Sequence, residues 1–277
     1  MRWPANLCAL TLSLFLSQGA LAEDLAIASP EVIGAEARYK PDLDGPLPGT
    51  PRGIHIWRAP STPETGLLPT LYMADGGPGA YVIAARLRAA IEAGLVPPIQ
   101  IVGMEPNPRN REVEYGQPGR SAFVAHERWV LNVVIPWVER AARGSPTQRA
   151  IGGYSNGADF ALAMGAAHSD IFSAVIAHSP LISLDLHINT PGHERVRWAM
   201  SAGLAEFDGL PQWVVGVNRA EAREAGAAVR TCVGPWLHNA QSWIDLSPSA
   251  VAWAFNFPID RLETPLEQRS CQITAAR

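Results

Sequence analysis

The chain has 277 residues, 47% of them apolar and only 17% charged, with a formal net charge of −4. A charged fraction well below the ~25% of an average domain points to a large buried core and excludes intrinsic disorder. The weak negative charge, with no arginine run forming a patch, excludes a surface built to hold a nucleic-acid backbone.

At the N-terminus, Arg2, the apolar run Leu10 to Leu16 and the small-x-small site Ala20-Leu21-Ala22 predict a secretory signal peptide over residues 1–22. The mature protein is then periplasmic or secreted. Cys8 stands too early, without small residues just before it, to serve as a lipid-anchored cysteine. No later stretch reaches the ~18 uninterrupted apolar residues of a membrane span. Residues 23–52 are rich in Pro, Gly and Asp and carry weak strand signals. Within them lies Lys40, the only lysine, a poor Schiff-base candidate in that setting.

Strands are predicted over 53–58 and 67–74, the second ending at Asp75-Gly76-Gly77-Pro78-Gly79, followed by a helix over 81–93. The apolar run 98–104 reads as a buried strand. A long amphipathic helix is predicted over 122–143, kinked at Pro136. A strand over 150–153, a helix over 158–168 and a strand over 173–178 follow. Residues 180–210 read as an irregular insertion near the active site. The apolar QWVVGV run (212–217) reads as a strand, 221–230 as a short helix and 249–255 as a last helical turn or two. Strands alternating with helices predict an α/β fold: one domain over 23–277, with a mostly parallel sheet covered on both faces.

Chemistry concentrates at Gly153-Tyr154-Ser155-Asn156-Gly157, a G-x-S-x-G run. An apolar strand enters it and an Ala/Leu/Met-rich helix leaves it, the strand–turn–helix setting of a nucleophile elbow. A serine hydroxyl needs an adjacent base, and in this arrangement acid and then histidine follow the nucleophile along the chain. His238 is the favoured base, with His178 at the end of a sheet strand as its rival. For the acid, Glu221 is nearest the end of the 212–217 strand, ahead of Glu224 and Asp208. A Ser–His dyad oriented by a backbone carbonyl or by Asn218 stays open. The oxyanion hole calls for two N–H donors, expected from Asn156 and from the turn at Gly76 and Gly77. Arg111, Trp236 and Trp243 are candidate substrate contacts, the tryptophans equally readable as core. Cys232 and Cys271 form an even pair in an exported chain, which favours one disulfide over two separate thiols. No histidine pair has zinc-site spacing, so no metal is expected.

Several segments resemble the esterase D group of α/β-hydrolases, which includes enterochelin-esterase-like enzymes, S-formylglutathione hydrolases, feruloyl esterases and mycolyltransferases. They are LPTLYMADGG (68–77), IVGMEPNPRNREVEY (101–115), VVIPWVE (133–139), GGYSNGADFALAMGAAHSDIFSAVIAHSP (152–180) and HNAQSW (238–243). The resemblance implies a cofactor-free carboxylic-ester hydrolase with Ser155 as nucleophile, His238 as base and the 75–77 turn in the oxyanion hole. It implies a small-molecule ester as partner, of siderophore, xenobiotic or cell-wall origin given the predicted export. The chain departs from the family between Gly216 and His238, where the segment is short and Asn218 stands near the position of an acid. An acyltransferase of the same fold and a catalytically impaired binding protein are the alternatives.

Overall fold

A computed structural model describes residues 37–39, 53–76, 78–107, 109–181 and 192–276. The expected signal peptide, Cys8, Lys40 and Gly77 lie outside the described residues, as does the middle of the expected 180–210 insertion.

Among the described residues, nine strands form one sheet: β1 (Ala37–Tyr39), β2 (Ile54–Arg58), β3 (Leu68–Ala74), β4 (Gln100–Met104), β5 (Gly144–Tyr154), β6 (Ala174–His178), β7 (Arg197–Gly203), β8 (Val229–Gly234) and β9 (Cys271–Thr274). Their order is β1-β2-β4-β3-β5-β6-β7-β8-β9. From β4 to β8 every pair is parallel, and the outer pairings β1–β2, β2–β4 and β8–β9 are antiparallel. The helices are α1 (Pro78–Glu92), α2 (Arg111–Gly116), α3 (Ser121–Trp129), α4 (Ile135–Ala141), α5 (Asn156–Ala167), α6 (Leu210–Glu224), α7 (Ala240–Ala254) and α8 (Pro265–Ser270).

Strand alternation divides the core in two. Tyr72, Ile151, Val175 and Trp198 pack with residues of α2 to α6 on one face. Leu71, Ala150, Ile176 and Ala199 pack with α1 and α7 on the other. The central strands are buried on both sides, as a parallel sheet covered by crossover helices requires. The expected disturbance at Pro136 takes the form of a π-helical turn over Val130–Val134, with Pro136 in the first turn of α4. Proline has no N–H for the ladder, and the wider turn ahead of it accommodates the lost bond.

Three expectations in the C-terminal third are corrected. The 212–217 run is not a strand but part of α6, entered through the left-handed Gly209 with Pro211 in the first turn. Its buried residues Val214, Val215, Asn218 and Ala222 follow helical spacing. The 221–230 segment is not a helix of its own: α6 ends at Glu224 and β8 starts at Val229. The 180–210 region contains β7, a strand buried along nearly its whole length. Its sequence, RWAMSAG, is poor in β-branched residues, so burial rather than local propensity makes it a strand.

Cys232 and Cys271 face each other in register on β8 and β9, and their sulfurs are bonded. Among the described residues, no helix is long and apolar enough to cross a membrane.

Candidate active site

Strands β5, β6, β7 and β8 lie side by side and point the same way, so the segments leaving them gather at one edge of the sheet. That edge is where open α/β folds place their sites. Ser155 leaves β5, Ser179 leaves β6, Glu206 follows β7 by three residues and His238 follows β8 by four.

Ser155 sits at φ 55°, ψ −130°, a conformation disfavoured for a side chain with a Cβ. Its N–H donates to the carbonyl of His178 (3.0 Å), which holds the kink against β6. The flanking glycines are steric requirements. A Cβ on Gly153 would lie 2.2 Å from the Gly157 carbonyl oxygen, and one on Gly157 would meet Ala74 and Asp75 at 3.0 Å.

From the kink, Ser155 Oγ lies 3.1 Å from His238 Nε2. The other ring nitrogen, Nδ1, lies 3.1 Å from Glu206 Oε2. The Glu206 side chain is 1% exposed, and its second oxygen is held by two donors, the Ser179 hydroxyl (2.9 Å) and the Gly203 N–H (2.9 Å). Ser179 in turn accepts from Trp243 Nε1 (2.9 Å). Both carboxylate oxygens therefore have hydrogen-bond partners, as a buried anion needs. The imidazole stands between two aromatic rings, Phe207 at 4.5 Å and Trp243 at 5.0 Å between centroids, both edge-on. Trp243 also stacks on Tyr154, one residue before the serine.

Ser155 and His238 thus come together as expected. Glu221 does not join them. It lies eleven residues into α6, roughly 16 Å along the axis from the helix start at the active-site edge. Glu224 ends that helix and Asp208 is exposed. The carboxylate facing the imidazole is Glu206, which the sequence reading passed over because it assigned the preceding strand wrongly. A usable signal was present: a buried strand ending at Gly203, an acid three residues on, then a full helix before the histidine. His178 is no rival base. Its backbone, not its ring, meets Ser155, and its Nδ1 lies 2.7 Å from Ser201 Oγ. Burial, with Arg230 adding to it, lowers its pKa from 6.5 to about 3 and keeps the ring neutral.

Asn156 opens α5, so its N–H has no partner within the helix and points out of the helix N-terminus beside Ser155. Gly76 is a correction. Its N–H donates to the Met104 carbonyl (2.7 Å), and a Cβ there would lie 2.6 Å from the β4 backbone. Gly76 packs the turn against β4 and has no free donor for an oxyanion. Arg111 is also reassigned. It grips Asp75 through two hydrogen bonds, Nε to Oδ1 and Nη2 to Oδ2, the latter at 2.7 Å. Burial alone would lower the guanidinium pKa, but attraction to Asp75 and these bonds outweigh it and raise the value. Tyr115 receives the Asp75 N–H on its hydroxyl (3.0 Å). Arg111 and Tyr115 thereby fix Asp75 at the end of β3. Of the expected tryptophan contacts, Trp236 is buried with Cys232 and Leu246, and Trp243 holds Ser179 and Tyr154. Both support the site rather than line it. Among the described residues, no group of three or more His, Cys, Asp or Glu is placed to hold a metal ion.

Parallel sheet, serine elbow and facing imidazole define an α/β-hydrolase. A family model described as "Putative esterase" matches residues 49–241, and the chain belongs to this esterase family: it is a carboxylic-ester hydrolase. No curated protein matches the sequence. Similar solved structures include a ferulic acid esterase (TM-score 0.64, 17% identity, 80% of this chain and 98% of that one). Another is an enterobactin esterase from Shigella flexneri (TM-score 0.61, 16% identity), covering 82% of this chain, which spans 60% of that protein's length. A third is a siderophore hydrolase from Aspergillus nidulans (TM-score 0.60, 15% identity, 82% and 96% covered). At these identities the likeness concerns the fold.

Proposed function

We propose that the protein is an exported serine esterase that cleaves esters bearing bulky or aromatic groups through an acyl-enzyme. The observation that carries the reading is the unbroken relay Glu206–His238–Ser155, each contact 3.1 Å long. His238 Nε2 takes the Ser155 proton as Oγ attacks the ester carbonyl. Glu206 holds the ring through Nδ1–H and stabilises the imidazolium. The oxyanion is received by the Asn156 N–H at the start of α5. The imidazolium protonates the departing alcohol, and water repeats the sequence on the acyl-enzyme. Trp243 and Ser179 act as positioning residues that keep Glu206 aimed at the ring.

A complete relay argues against the impaired binding protein. Export is argued from the leader-like N-terminus, and an oxidised Cys232–Cys271 pair suits an oxidising compartment. The ester class rests on the aromatic and siderophore esters named for the fold neighbours. A fluorophosphonate probe is expected to label the wild type and leave Ser155→Ala unlabelled, with aryl-ester hydrolysis falling at least about 10,000-fold. Labelling that survives the substitution would sink the assignment. Product analysis with an added acceptor alcohol separates hydrolysis from acyl transfer.

A further inference from the structure

Large apolar side chains left in solvent are few and unevenly placed. Among the described residues they are Leu67, Leu204, Phe207, Leu210, Trp213, Leu237 and Ile273. Five of the seven belong to two segments, the β7–α6 connection and the loop carrying His238. Trp213 is 56% exposed, Leu204 58% and Leu237 56%. The segments touch: the Leu204 N–H donates to the Gly234 carbonyl (2.7 Å), and the Phe207 ring stands 4.5 Å from that of His238. Leu210 and Trp213 are three residues apart in the first turns of α6 and so share one of its faces. The connection is held in place, since the Gln212 amide donates to the Gly203 carbonyl (2.9 Å) and the Gly209 N–H to that of Glu206 (2.8 Å). An apolar surface thus borders the catalytic imidazole on its solvent side.

Position relative to His238 decides what that surface meets. In the tetrahedral intermediate the carbon carries Ser155 Oγ, the oxyanion, the acyl substituent and the alcohol oxygen. His238 Nε2 must reach that alcohol oxygen to protonate it. The alcohol half of the ester therefore leaves on the His238 side, and the acyl substituent points elsewhere. Resting on the esterase reading above, we infer that Leu204, Phe207, Leu210, Trp213 and Leu237 form a leaving-group subsite for a bulky, uncharged, apolar or aromatic alcohol. Charge supports an uncharged ligand: neither 204–218 nor 231–260 contains a Lys or Arg, and Asp208 lies exposed beside Phe207. That pattern disfavours both an anionic alcohol and an anionic lipid surface.

The test keeps the acyl group constant as acetyl and enlarges the alcohol among phenols of similar acidity, phenol, 4-tert-butylphenol and 2-naphthol. For the wild type, kcat/KM is expected to rise about tenfold from phenyl to 2-naphthyl acetate, through KM, as added apolar area is buried. In Leu210→Ser/Trp213→Ser and in Leu204→Ser, none of which touches the relay, the gain should shrink to about threefold or less. The preference between acetyl and butyryl esters should stay unchanged. A wild type indifferent to the alcohol, variants that keep the full preference, or a loss confined to the acyl series would each overturn the inference. So would an absence of preference combined with sedimentation on phosphatidylcholine vesicles, which would make the patch a lipid contact. Failure of the underlying reading looks different: the wild type would then neither hydrolyse any of these esters nor take the fluorophosphonate at Ser155.

Discussion

The nucleophile and the acid are held by different physics, although only one strand, β6, separates β5 from β7. Around Ser155 the backbone does the positioning, through a positive φ, a hydrogen bond to the neighbouring strand and Gly153, where a side chain would collide with the Gly157 carbonyl. Around Glu206 side chains do most of it, Ser179, Trp243 and His238 joining a single backbone donor at Gly203, on a connection whose outer surface is apolar and exposed. A backbone kink either forms or fails, whereas a side-chain network loses function in steps. The elbow should therefore respond to substitution as a switch, and the acid loop as a gradient.

The largest test of that gradient is Glu206→Gln, which preserves shape but removes the charge stabilising the imidazolium. A fall in kcat of about 1,000- to 10,000-fold is expected, against less than about twofold for Glu221→Gln, both measured on phenyl acetate at pH 7.5. A strong loss in the Glu221 variant would return the acid to α6. Next comes the Cys232–Cys271 bond, which ties β9 to the strand leading into His238. Replacing both cysteines by serine should cost roughly 2–4 kcal/mol in denaturant unfolding, with wild type in reductant matching the variant. Equal stability would show that the bond does not form. Ser179→Ala removes one of the two donors to Glu206 Oε1 and should lower kcat about tenfold, leave KM nearly constant and shift the acid limb of the kcat profile. An unchanged profile would reduce Ser179 to packing.

His178 gives the smallest change per step and leaves the site untouched. Its folded pKa of about 3 lies below the 6.5 of the unfolded chain, so the unfolded state binds the extra proton between those values. Stability from this residue is fully present above about pH 6.5 and is lost as pH falls toward 3, by up to about 1.4 kcal/mol per unit. The stability gap between wild type and His178→Asn should accordingly narrow from pH 7 to pH 4. A gap independent of pH would mean that the buried ring is not held neutral.

The sequence by itself determined the parts whose signals are local. The G-x-S-x-G run fixed Ser155 because the kink excludes side chains at Gly153 and Gly157, a constraint written directly into residue types. Chain order narrowed the base to His238 and His178, and the alternation of apolar runs marked the parallel sheet; tertiary structure then chose His238. The acid was decided by tertiary structure. RWAMSAG becomes β7 only because β6 and β8 and the helices cover it, while QWVVGV, more strand-like by composition, becomes α6 because Gly209 and Pro211 start a helix and one of its faces is buried. Likewise Arg111, Trp236 and Trp243 are chemically fit to meet a substrate. Only the fold sets Asp75, the disulfide and Ser179 against them, because burial and partner choice depend on contacts between residues far apart in the chain.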